Sequence, residues 1–288
     1  MLETSTRAGF VAVIGAPNVG KSTLVNHLVG SKVSIVSPKV QTTRTRVLGI
    51  AMIENAQLVL VDTPGIFTPR RRLDRAMVHA AWSGACDADV IALMVDVARP
   101  TLRGDTGRII AGLKEAGRRA ILVLNKIDTV EKPTLLKLAE TLYNHGIFDE
   151  VFMISALDGD GVPDLVEALV ARLPESPYLF PEDQISDMPQ RLMAAEITRE
   201  QMYIQLQQEL PYASTVETEN WEEFRDGSVR IDQVIYIQRA SQKGIVLGKG
   251  GARVKSIGQK ARIELEEMFG RRVHLKIFVK VRLFVKSL

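Results

Sequence analysis

The fold is decided by one stretch near the start of the chain, which reads Gly15-Ala16-Pro17-Asn18-Val19-Gly20-Lys21-Ser22. It follows the apolar run 10–14 and precedes an amphipathic stretch, 23–28, so the order is strand, glycine loop, helix. Glycines at both ends allow backbone N–H groups to curl around a phosphate, and the helix N-terminus adds its positive dipole end. Lys21 supplies a charge between the β- and γ-phosphates, and the Ser22 hydroxyl is suited to ligate Mg²⁺. The stretch predicts a nucleotide-phosphate site; the alternative is a βα turn that fits the pattern by chance.

Composition excludes several classes of protein. The chain has 288 residues, 46% of them hydrophobic, which is enough for two domain cores. No apolar run approaches the roughly 20 residues that span a bilayer, so neither export nor membrane insertion is expected. A single cysteine, Cys86, cannot form an internal disulfide and favours a cytoplasmic location. The four histidines lack ligand spacing, so no zinc site is predicted.

Charge is distributed unevenly along the chain. The net charge is +3, but residues 239–288 hold 13 Lys and Arg against 3 Asp and Glu, which leaves 24 against 31 in the rest of the chain. A basic C-terminal region attached to an acidic N-terminal region predicts a surface for a polyanion near the C-terminus.

The first part of the chain has the pattern of an α/β domain. Five short apolar runs alternate with stretches of helical periodicity: 10–14, 58–61, 90–95, 121–124 and 151–154. Unbroken runs of this kind predict a mostly parallel sheet covered on both faces. A further strand, 47–53, is expected to form an antiparallel hairpin with 58–61 through a turn at Glu54-Asn55.

A proline-rich segment separates this region from the rest. Four prolines, at positions 174, 177, 181 and 189, prevent a continuous helix, so we expect domains at 1–174 and 190–288 joined by a linker at 175–189. The second domain is predicted to be α+β. Its expected elements are a helix at 190–209, strands at 213–221 and 227–240, a glycine turn, a basic helix at 251–269 and a strand at 273–285.

Two motifs follow strands of the predicted sheet, where ligands of such sheets bind. After 58–61 comes Asp62-Thr63-Pro64-Gly65, whose carboxylate can hold Mg²⁺ through water and whose glycine amide can meet a γ-phosphate. After 121–124 comes Asn125-Lys126-Ile127-Asp128. A carboxylate at Asp128 accepts two hydrogen bonds from guanine, and adenine has no such donor pair. The alternatives are a plain Pro-Gly turn and a polar turn with a helix-capping Asp128.

Further contacts to the base are expected from neighbouring positions. Asn125 can meet the O6/N7 side of guanine, the stem of Lys126 can cover the ring, and the Ala156 amide of Ser155-Ala156-Leu157 can bond O6. The polar loop 38–46 can place a threonine on Mg²⁺ when a γ-phosphate is present, which would make it a conformational switch. Thr43 is favoured and Thr42 is the close alternative; a simply solvated basic loop is the other interpretation.

On these motifs, together with the linker Tyr178-Leu179-Phe180-Pro181-Glu182-Asp183-Gln184 and the loop Gly248-Lys249-Gly250-Gly251, the chain resembles the Era family of bacterial GTPases over nearly its whole length. The resemblance implies a P-loop GTPase domain followed by a type II KH domain, with GTP or GDP and Mg²⁺ bound. The phosphate-binding residues it implies are Gly15, Ala16, Pro17, Asn18, Val19, Gly20, Lys21, Ser22, Thr23, Asp62, Thr63, Pro64 and Gly65. Guanine-binding residues would be Asn125, Lys126, Asp128, Ser155 and Ala156, and metal-binding residues would be Ser22, Thr43 and, through water, Asp62.

The partner implied by the resemblance is the 3′ end of small-subunit ribosomal RNA, with a role in maturation of the small ribosomal subunit. Loose association with the cytoplasmic face of the membrane and a monomeric state are also expected. A Gly-x-x-Gly turn between two helices can clamp about four nucleotides of a single strand by their phosphates. Lys249, Arg253 and Lys255 add charge there; the alternative is a solvated basic helix.

Two departures from related GTPases affect these expectations. Ile66 stands where Ras-like GTPases have a glutamine that orients the attacking water, and the Era family shares this apolar substitution. Slow hydrolysis is therefore expected. Because related GTPases with an asparagine like Asn18 bind K⁺, we expect a K⁺ site there. The tail 281–288 lacks the Trp-containing acidic segment with which family members usually continue, so the expected RNA contact rests on the Gly-x-x-Gly loop and not on such a segment.

The interpretation favoured by the whole sequence is a GTP-hydrolysing switch coupled to an RNA-binding module. Two other classes remain open: an RNA-binding scaffold in which the nucleotide is structural and turnover is negligible, and an ATP-dependent kinase built on the same phosphate loop.

Overall fold

The computed structural model describes residues 5–39, 42–43, 46–67, 72–206, 210–212 and 214–282. These residues divide into two compact units. The first takes the described residues up to Val36 and from Thr42 to Asp187, and the second takes Ser37–Lys39 and the described residues from Met188 onward.

The first unit is a six-stranded sheet with helices on both faces. Strands follow the order β2-β3-β1-β4-β5-β6, and every neighbouring pair is parallel except the β2–β3 hairpin. The strands are β1 Arg7–Gly15, β2 Val47–Ile53, β3 Ala56–Asp62, β4 Val90–Asp96, β5 Ala120–Asn125 and β6 Phe148–Ile154. The helices are α1 Lys21–Val29, α2 Arg72–Asp87, α3 Asp105–Glu115, α4 Lys132–Tyr143 and α5 Val162–Arg172.

Successive side chains of the central strands point to opposite faces of the sheet, which explains why helices cover both faces. Val11 and Val13 of β1 belong to a core cluster that includes residues of α1 and α5. Ala12 and Ile14, on the opposite face, belong to a cluster with residues of α2, α3 and α4. Because both faces are buried, these strands are continuous apolar runs, and the prediction of a mostly parallel sheet is confirmed.

A strap, which we define as residues 174–187, runs along the first unit. It begins beside β1, where Ala8 N donates to Pro174 O at 3.3 Å. It continues along the outer edge of β2, where Ile50 N donates to Ile185 O at 2.9 Å. Most of the stretch predicted as a linker at 175–189 is therefore held against the sheet of the first unit.

The second unit is a three-stranded sheet packed against helices. Its elements are α6 Gln190–Gln205, β7 Ser214–Glu223, β8 Val229–Ile237, α7 Ala240–Leu247, α8 Ala252–Phe269 and β9 Val273–Val281. β8 is central, antiparallel to β7 and parallel to β9. Buried side chains of α6 and α8, including Met193, Ile197, Ala261 and Leu265, cover the sheet. This α+β arrangement confirms the predicted fold class.

Several element limits differ from the sequence prediction. The first helix of this unit ends at Gln205 rather than at 209, and β8 ends at Ile237 rather than at 240. The residues that follow β8 form a separate helix, α7, whose N-terminus is fixed by the Gln242 side chain accepting from Arg239 N at 2.9 Å. Beyond Arg282, the predicted last strand lies outside the described residues.

Candidate functional site

The phosphate loop connects β1 to α1 in a conformation that depends on glycine. Gly20 has φ 101°, and a Cβ there would lie 2.3 Å from Asn125 Nδ2. At Gly15, with φ 155°, a Cβ would lie 2.5 Å from the carbonyl oxygen of Met94. Any side chain at either position would collide with the neighbouring loop or strand, so the loop can follow this path only with both glycines.

Lys21 is folded back into the loop. It is 6% exposed, and its Nζ donates to Ala16 O at 3.0 Å and to Gly15 O at 3.3 Å. Burial lowers the pKa of Lys21 to about 8, although the charge of Asp62 opposes that change. A bound phosphate would favour the charged form of this lysine, so the site is suited to an anion.

The three predicted metal-binding residues meet in one cluster. Ser22 Oγ donates to Asp62 Oδ2 at 2.7 Å and lies 3.1 Å from Thr43 Oγ1. Thr43 Oγ1 donates to the same carboxylate oxygen at 3.4 Å. The sequence left Thr42 and Thr43 open as the metal-binding threonine. Thr43 is the one whose hydroxyl contacts Ser22 and Asp62; Thr42 is half-buried.

The surroundings of Asp62 show whether this cluster fits a cation. Its side chain is fully buried, and Oδ1 has no hydrogen-bond partner among the described residues. Burial raises the pKa of Asp62, while hydrogen bonds from Ser34, Ser22 and Thr43 and the charge of Lys21 lower it. A buried carboxylate oxygen without a donor, beside two hydroxyl oxygens, fits an oxygen-ligated cation such as Mg²⁺.

A fourth residue, Ser34, belongs to this cluster and was not predicted. Its Oγ donates to Asp62 Oδ2 at 2.6 Å, and the side chain is 3% exposed. No sequence motif marks this position, because a serine 12 residues beyond the phosphate loop has no local pattern that connects it to the end of β3.

The residues after Asp62 close against the phosphate loop. Thr63 Oγ1 donates to Val13 O at 2.9 Å, and a Cβ on Gly65 would lie 2.9 Å from backbone atoms of Pro17. Pro64 is buried as well. Ile66 is 3% exposed and belongs to the core cluster of α2, α3 and α4. Its side chain is therefore part of the core.

Asn125 connects two loops of the site. Its Nδ2 donates to Val19 O at 2.7 Å, and its Oδ1 accepts from Ala156 N at 2.9 Å. That Asn125 and the Ala156 amide contact guanine stays a prediction; in the structure these two groups bond each other. The reason is burial: Asn125 is 2% exposed, and a buried amide must satisfy its polar atoms.

The other residues predicted to bind guanine lie around the contact between Asn125 and Ala156. Lys126 Nζ donates to Asn18 O at 2.9 Å and to Asp96 Oδ2 at 2.6 Å, which fixes the head group and leaves the stem as the part able to cover a base. Ser155 Oγ donates to Asp158 Oδ2 at 2.8 Å. Asp128 is exposed on a single 3₁₀ turn, Ile127–Thr129. An exposed carboxylate beside a fixed lysine can accept hydrogen bonds from a ligand.

In the second unit, the predicted RNA-binding residues lie at the junction of α7 and α8. Gly250 and Gly251 have φ 60° and 78°, and a Cβ on either would meet no atom of the described chain within 4 Å. Lys249 and Lys255 are exposed. Arg253 Nη1 donates to Ile245 O at 2.7 Å, so this guanidinium also satisfies a carbonyl of the last turn of α7. Gly248 closes that turn with φ 73°.

The described part of the chain lacks two further features. None of its helices combines the length and the apolar character needed to cross a bilayer. Within the same residues, His, Cys, Asp and Glu side chains do not gather in threes or more where a metal ion could be held.

The fold and the site together define the class of P-loop GTPases. Its marks here are the glycine phosphate loop, the serine-threonine-aspartate cluster and the Asn-Lys-x-Asp turn, and a KH-type module follows in the same chain. A family model described as a 50S ribosome-binding GTPase matches residues 10–126, and a KH-domain model matches residues 209–283. The chain belongs to the Era family of GTPases. It is 60% identical over 277 residues to GTPase Era of Sinorhizobium medicae, covering 96% of this chain and 89% of that relative.

Other known proteins agree with this assignment. GTPase Era of Agrobacterium fabrum is 60% identical over 277 residues, which cover 96% of this chain and 87% of that relative. Crystal structures of an Aquifex aeolicus Era variant bound to GDP·AlF₄⁻ and of an Era in complex with MgGDPNP and nucleotides 1506–1542 of 16S ribosomal RNA both superpose with TM-scores of 0.91. Their identities are 38% and 39%, and each match covers 98% of this chain and 100% of the solved chain. The expected family, fold class and GTPase activity are confirmed.

Proposed function

We propose that this chain is a GTP-hydrolysing switch that binds single-stranded RNA at the 3′ end of small-subunit ribosomal RNA and assists assembly of the small ribosomal subunit. The observation that carries the proposal is the convergence of Ser22, Thr43 and Asp62 beside the phosphate loop, in a chain that also has an open Gly-x-x-Gly loop. The relative solved with 16S ribosomal RNA supports the choice of RNA.

In this proposal the phosphate chain lies along residues 15–23, with the amides of the loop and Lys21 stabilising its charge. Thr63, Pro64 and Gly65 close the loop on the γ-phosphate side. Mg²⁺, when bound, neutralises charge on the phosphate oxygens. Ser22 and Thr43 would hold it through their hydroxyl oxygens and Asp62 through a water molecule. Thr43 leaves the cluster after hydrolysis, which makes the loop around it the switch.

Guanine is selected by Asp128 in the same proposal, because its carboxylate accepts from the N1–H and the 2-amino group. Lys126 covers the ring with its stem. The base pocket is shaped by Asn125, Ser155 and Ala156. Asn125 connects the phosphate loop, at Val19, with the loop after β6, at Ala156.

Hydrolysis uses water as the nucleophile, and we propose that it is slow without further help because Ile66 lies in the core. We also propose that K⁺ bound beside Asn18, an exposed residue with φ 64°, speeds the reaction. Equal turnover in K⁺ and Na⁺ buffers would remove that role.

Further parts of the proposal come from the sequence patterns and from the family resemblance. They are a cytoplasmic, monomeric protein with loose association to the cytoplasmic face of the membrane, and functional domains at 1–174 and 190–288 joined through 175–189. RNA contacts are assigned to Gly248, Lys249, Gly250, Gly251, Arg253 and Lys255.

The test measures GTP turnover and RNA affinity with and without oligonucleotides from the 3′ end of small-subunit ribosomal RNA, in wild type and in Gly250→Asp. We expect Gly250→Asp to keep basal turnover and to lose at least tenfold in RNA affinity, because a carboxylate repels the phosphates that the loop clamps. Gly270→Asp is the matched control, since both glycines have φ 60° and ψ 23° and both have open space around them. It should behave as wild type.

Other outcomes separate the two alternatives. Negligible multiple turnover, even with RNA and K⁺, would favour an RNA-binding scaffold with structural nucleotide. Transfer of phosphate from ATP to an acceptor would favour a kinase. Equal loss of RNA affinity in Gly250→Asp and Gly270→Asp would contradict the assignment of the loop.

A further inference from the structure

Three hydroxyl groups donate to one oxygen of Asp62, and one of them belongs to no predicted site. Ser34 Oγ makes the shortest of these contacts to Oδ2, at 2.6 Å, compared with 2.7 Å for Ser22 and 3.4 Å for Thr43. Since all three donors converge on Oδ2, the carboxylate is held by one oxygen. The other oxygen, Oδ1, has no hydrogen-bond partner in the described part of the chain.

Ser34 is itself held by a side chain of α1. Asn26 Oδ1 accepts from Ser34 N and from Val33 N, each at 2.9 Å, and Asn26 Nδ2 donates to Ser34 O at 2.7 Å. On either side, Val33 and Ile35 are 1% and 2% exposed, so the segment is anchored in the core. The helix that begins at the phosphate loop therefore fixes the backbone of Ser34, and Ser34 fixes the carboxylate.

The three donors differ in what else they are needed for. Ser22 and Thr43 are the proposed ligands of the cation, and Thr43 belongs to the segment that is proposed to leave after hydrolysis. Ser34 is outside the phosphate loop and the switch, and its position is set by Asn26 rather than by a ligand. Neither Ser34 nor Asn26 belongs to the segment that is proposed to leave, so we expect the hydrogen bond from Ser34 to Asp62 to be kept in both nucleotide states.

We propose that Ser34 is a positioning residue for the cation: together with Asn26 it fixes the Asp62 carboxylate in the orientation from which it would hold the cation, in both nucleotide states. The inference rests on the proposed function, because it assumes that the cluster of Ser22, Thr43 and Asp62 binds Mg²⁺. Partners that orient the carboxylates around a metal commonly change metal affinity by 10–100-fold when removed. A loss of this kind would appear in Mg²⁺ affinity and leave the grip of the loop on phosphate unchanged.

The test is the dissociation rate of a fluorescent GDP analogue from the full chain, measured across a Mg²⁺ titration and in excess EDTA. We expect Ser34→Ala to raise the Mg²⁺ concentration that gives half of the maximal slowing by about tenfold. In EDTA the variant should release GDP at the wild-type rate. Ser34→Thr, which keeps the hydroxyl, should restore most of the wild-type Mg²⁺ dependence, and Ser31→Ala, at an exposed serine, is the matched control.

A second variant covers the case in which Ser34→Ala does not fold. Asn26→Asp keeps an acceptor for Val33 N and Ser34 N and loses the donor to Ser34 O, so it should shift the Mg²⁺ dependence in the same direction by a smaller factor. Wild-type Mg²⁺ dependence in Ser34→Ala, or an equal change with and without Mg²⁺, would overturn the proposal. If Mg²⁺ does not slow GDP release in the wild type, the proposed metal site itself fails, which is a different result.

Discussion

At the scale of single residues, we expect the choice of base to depend on one exposed carboxylate. Asp128 stands on the turn Ile127–Thr129, and the neighbouring Lys126 is fixed by Asp96 at 2.6 Å. Asp128→Asn replaces an acceptor by an amide that can donate, so it should weaken GTP binding and favour xanthine nucleotides, which carry an oxygen where guanine has an amino group. Because a mispaired polar contact costs on the order of 1–3 kcal/mol, we expect a 10- to 100-fold change in preference, measured by competition between GDP and XDP.

Asp105→Asn is the control for that measurement, since Asp105 is paired with Arg108 at the start of α3 and belongs to no predicted contact with nucleotide. Its preference should equal that of wild type. An unchanged preference in Asp128→Asn would remove the assignment of guanine recognition to this residue.

The same scale shows which site residues a sequence can identify. The phosphate loop, Asp62 and the Asn-Lys-x-Asp turn can be proposed from the sequence because their chemistry is confined to short motifs. Ser34 could not be found, since its partner Asp62 is 28 residues away and only the fold brings them together. The bond between Asn125 and Ala156 was missed for the same reason, as it depends on how β5 and β6 are aligned.

At the scale of elements, the strap is held against β3 by one buried glutamine side chain. Gln57 of β3 is fully buried; its Oε1 accepts from Leu179 N at 2.8 Å and Phe180 N at 3.0 Å, and its Nε2 donates to Phe180 O at 2.8 Å. Gln57→Ala leaves three backbone groups without these partners, at a cost of about 2 kcal/mol. We expect cleavage by a glutamate-specific protease after Glu182 to become roughly 10-fold faster or more, because the strap opens more often.

Gln259→Ala serves as the control, because that glutamine is exposed on α8, where such changes alter stability by about 0.5 kcal/mol or less. Cleavage after Glu182 at the wild-type rate in Gln57→Ala would show that the strap is held by its other contacts.

The helices and strands that can be predicted are those whose position is encoded by their own residues. The central strands are apolar runs, and the hairpin was placed correctly because the turn at Glu54-Asn55, with Glu54 at φ 52°, has its own signal. The path of the strap has no such signal. Prolines indicate extended backbone, and the partner that this backbone pairs with is set by long-range contacts to β2.

At the scale of the whole molecule, the chain between the phosphate loop and β2 belongs to both units. Ser37–Lys39 are part of the second unit, where Lys39 Nζ donates to the carbonyls of Tyr203 and Leu206 at the end of α6. Thr43, a few residues later, lies in the cluster with Ser22 and Asp62 in the first unit. We expect RNA to bind more tightly to the GTP-loaded state than to the GDP-loaded state, by about 5- to 150-fold, the usual range for coupled sites.

Because linkage is reciprocal, RNA should tighten the binding of a non-hydrolysable GTP analogue relative to GDP by the same factor. Titrations of RNA at saturating nucleotide, and of nucleotide at saturating RNA, measure the two values independently. Identical RNA affinity in both nucleotide states would end the idea of coupling.

The strap also has a consequence for solubility. Along β2 it occupies hydrogen-bonding groups of an outermost strand: Leu48 N donates to Asp187 Oδ1 at 3.1 Å, and Ser186 Oγ donates to Leu48 O at 2.8 Å. A recombinant fragment that stops at residue 174 would leave these groups bare, and an uncovered strand edge is a template for pairing with another copy. A fragment carried through residue 187 would stay dispersed, whereas the shorter one would self-associate as its concentration rises.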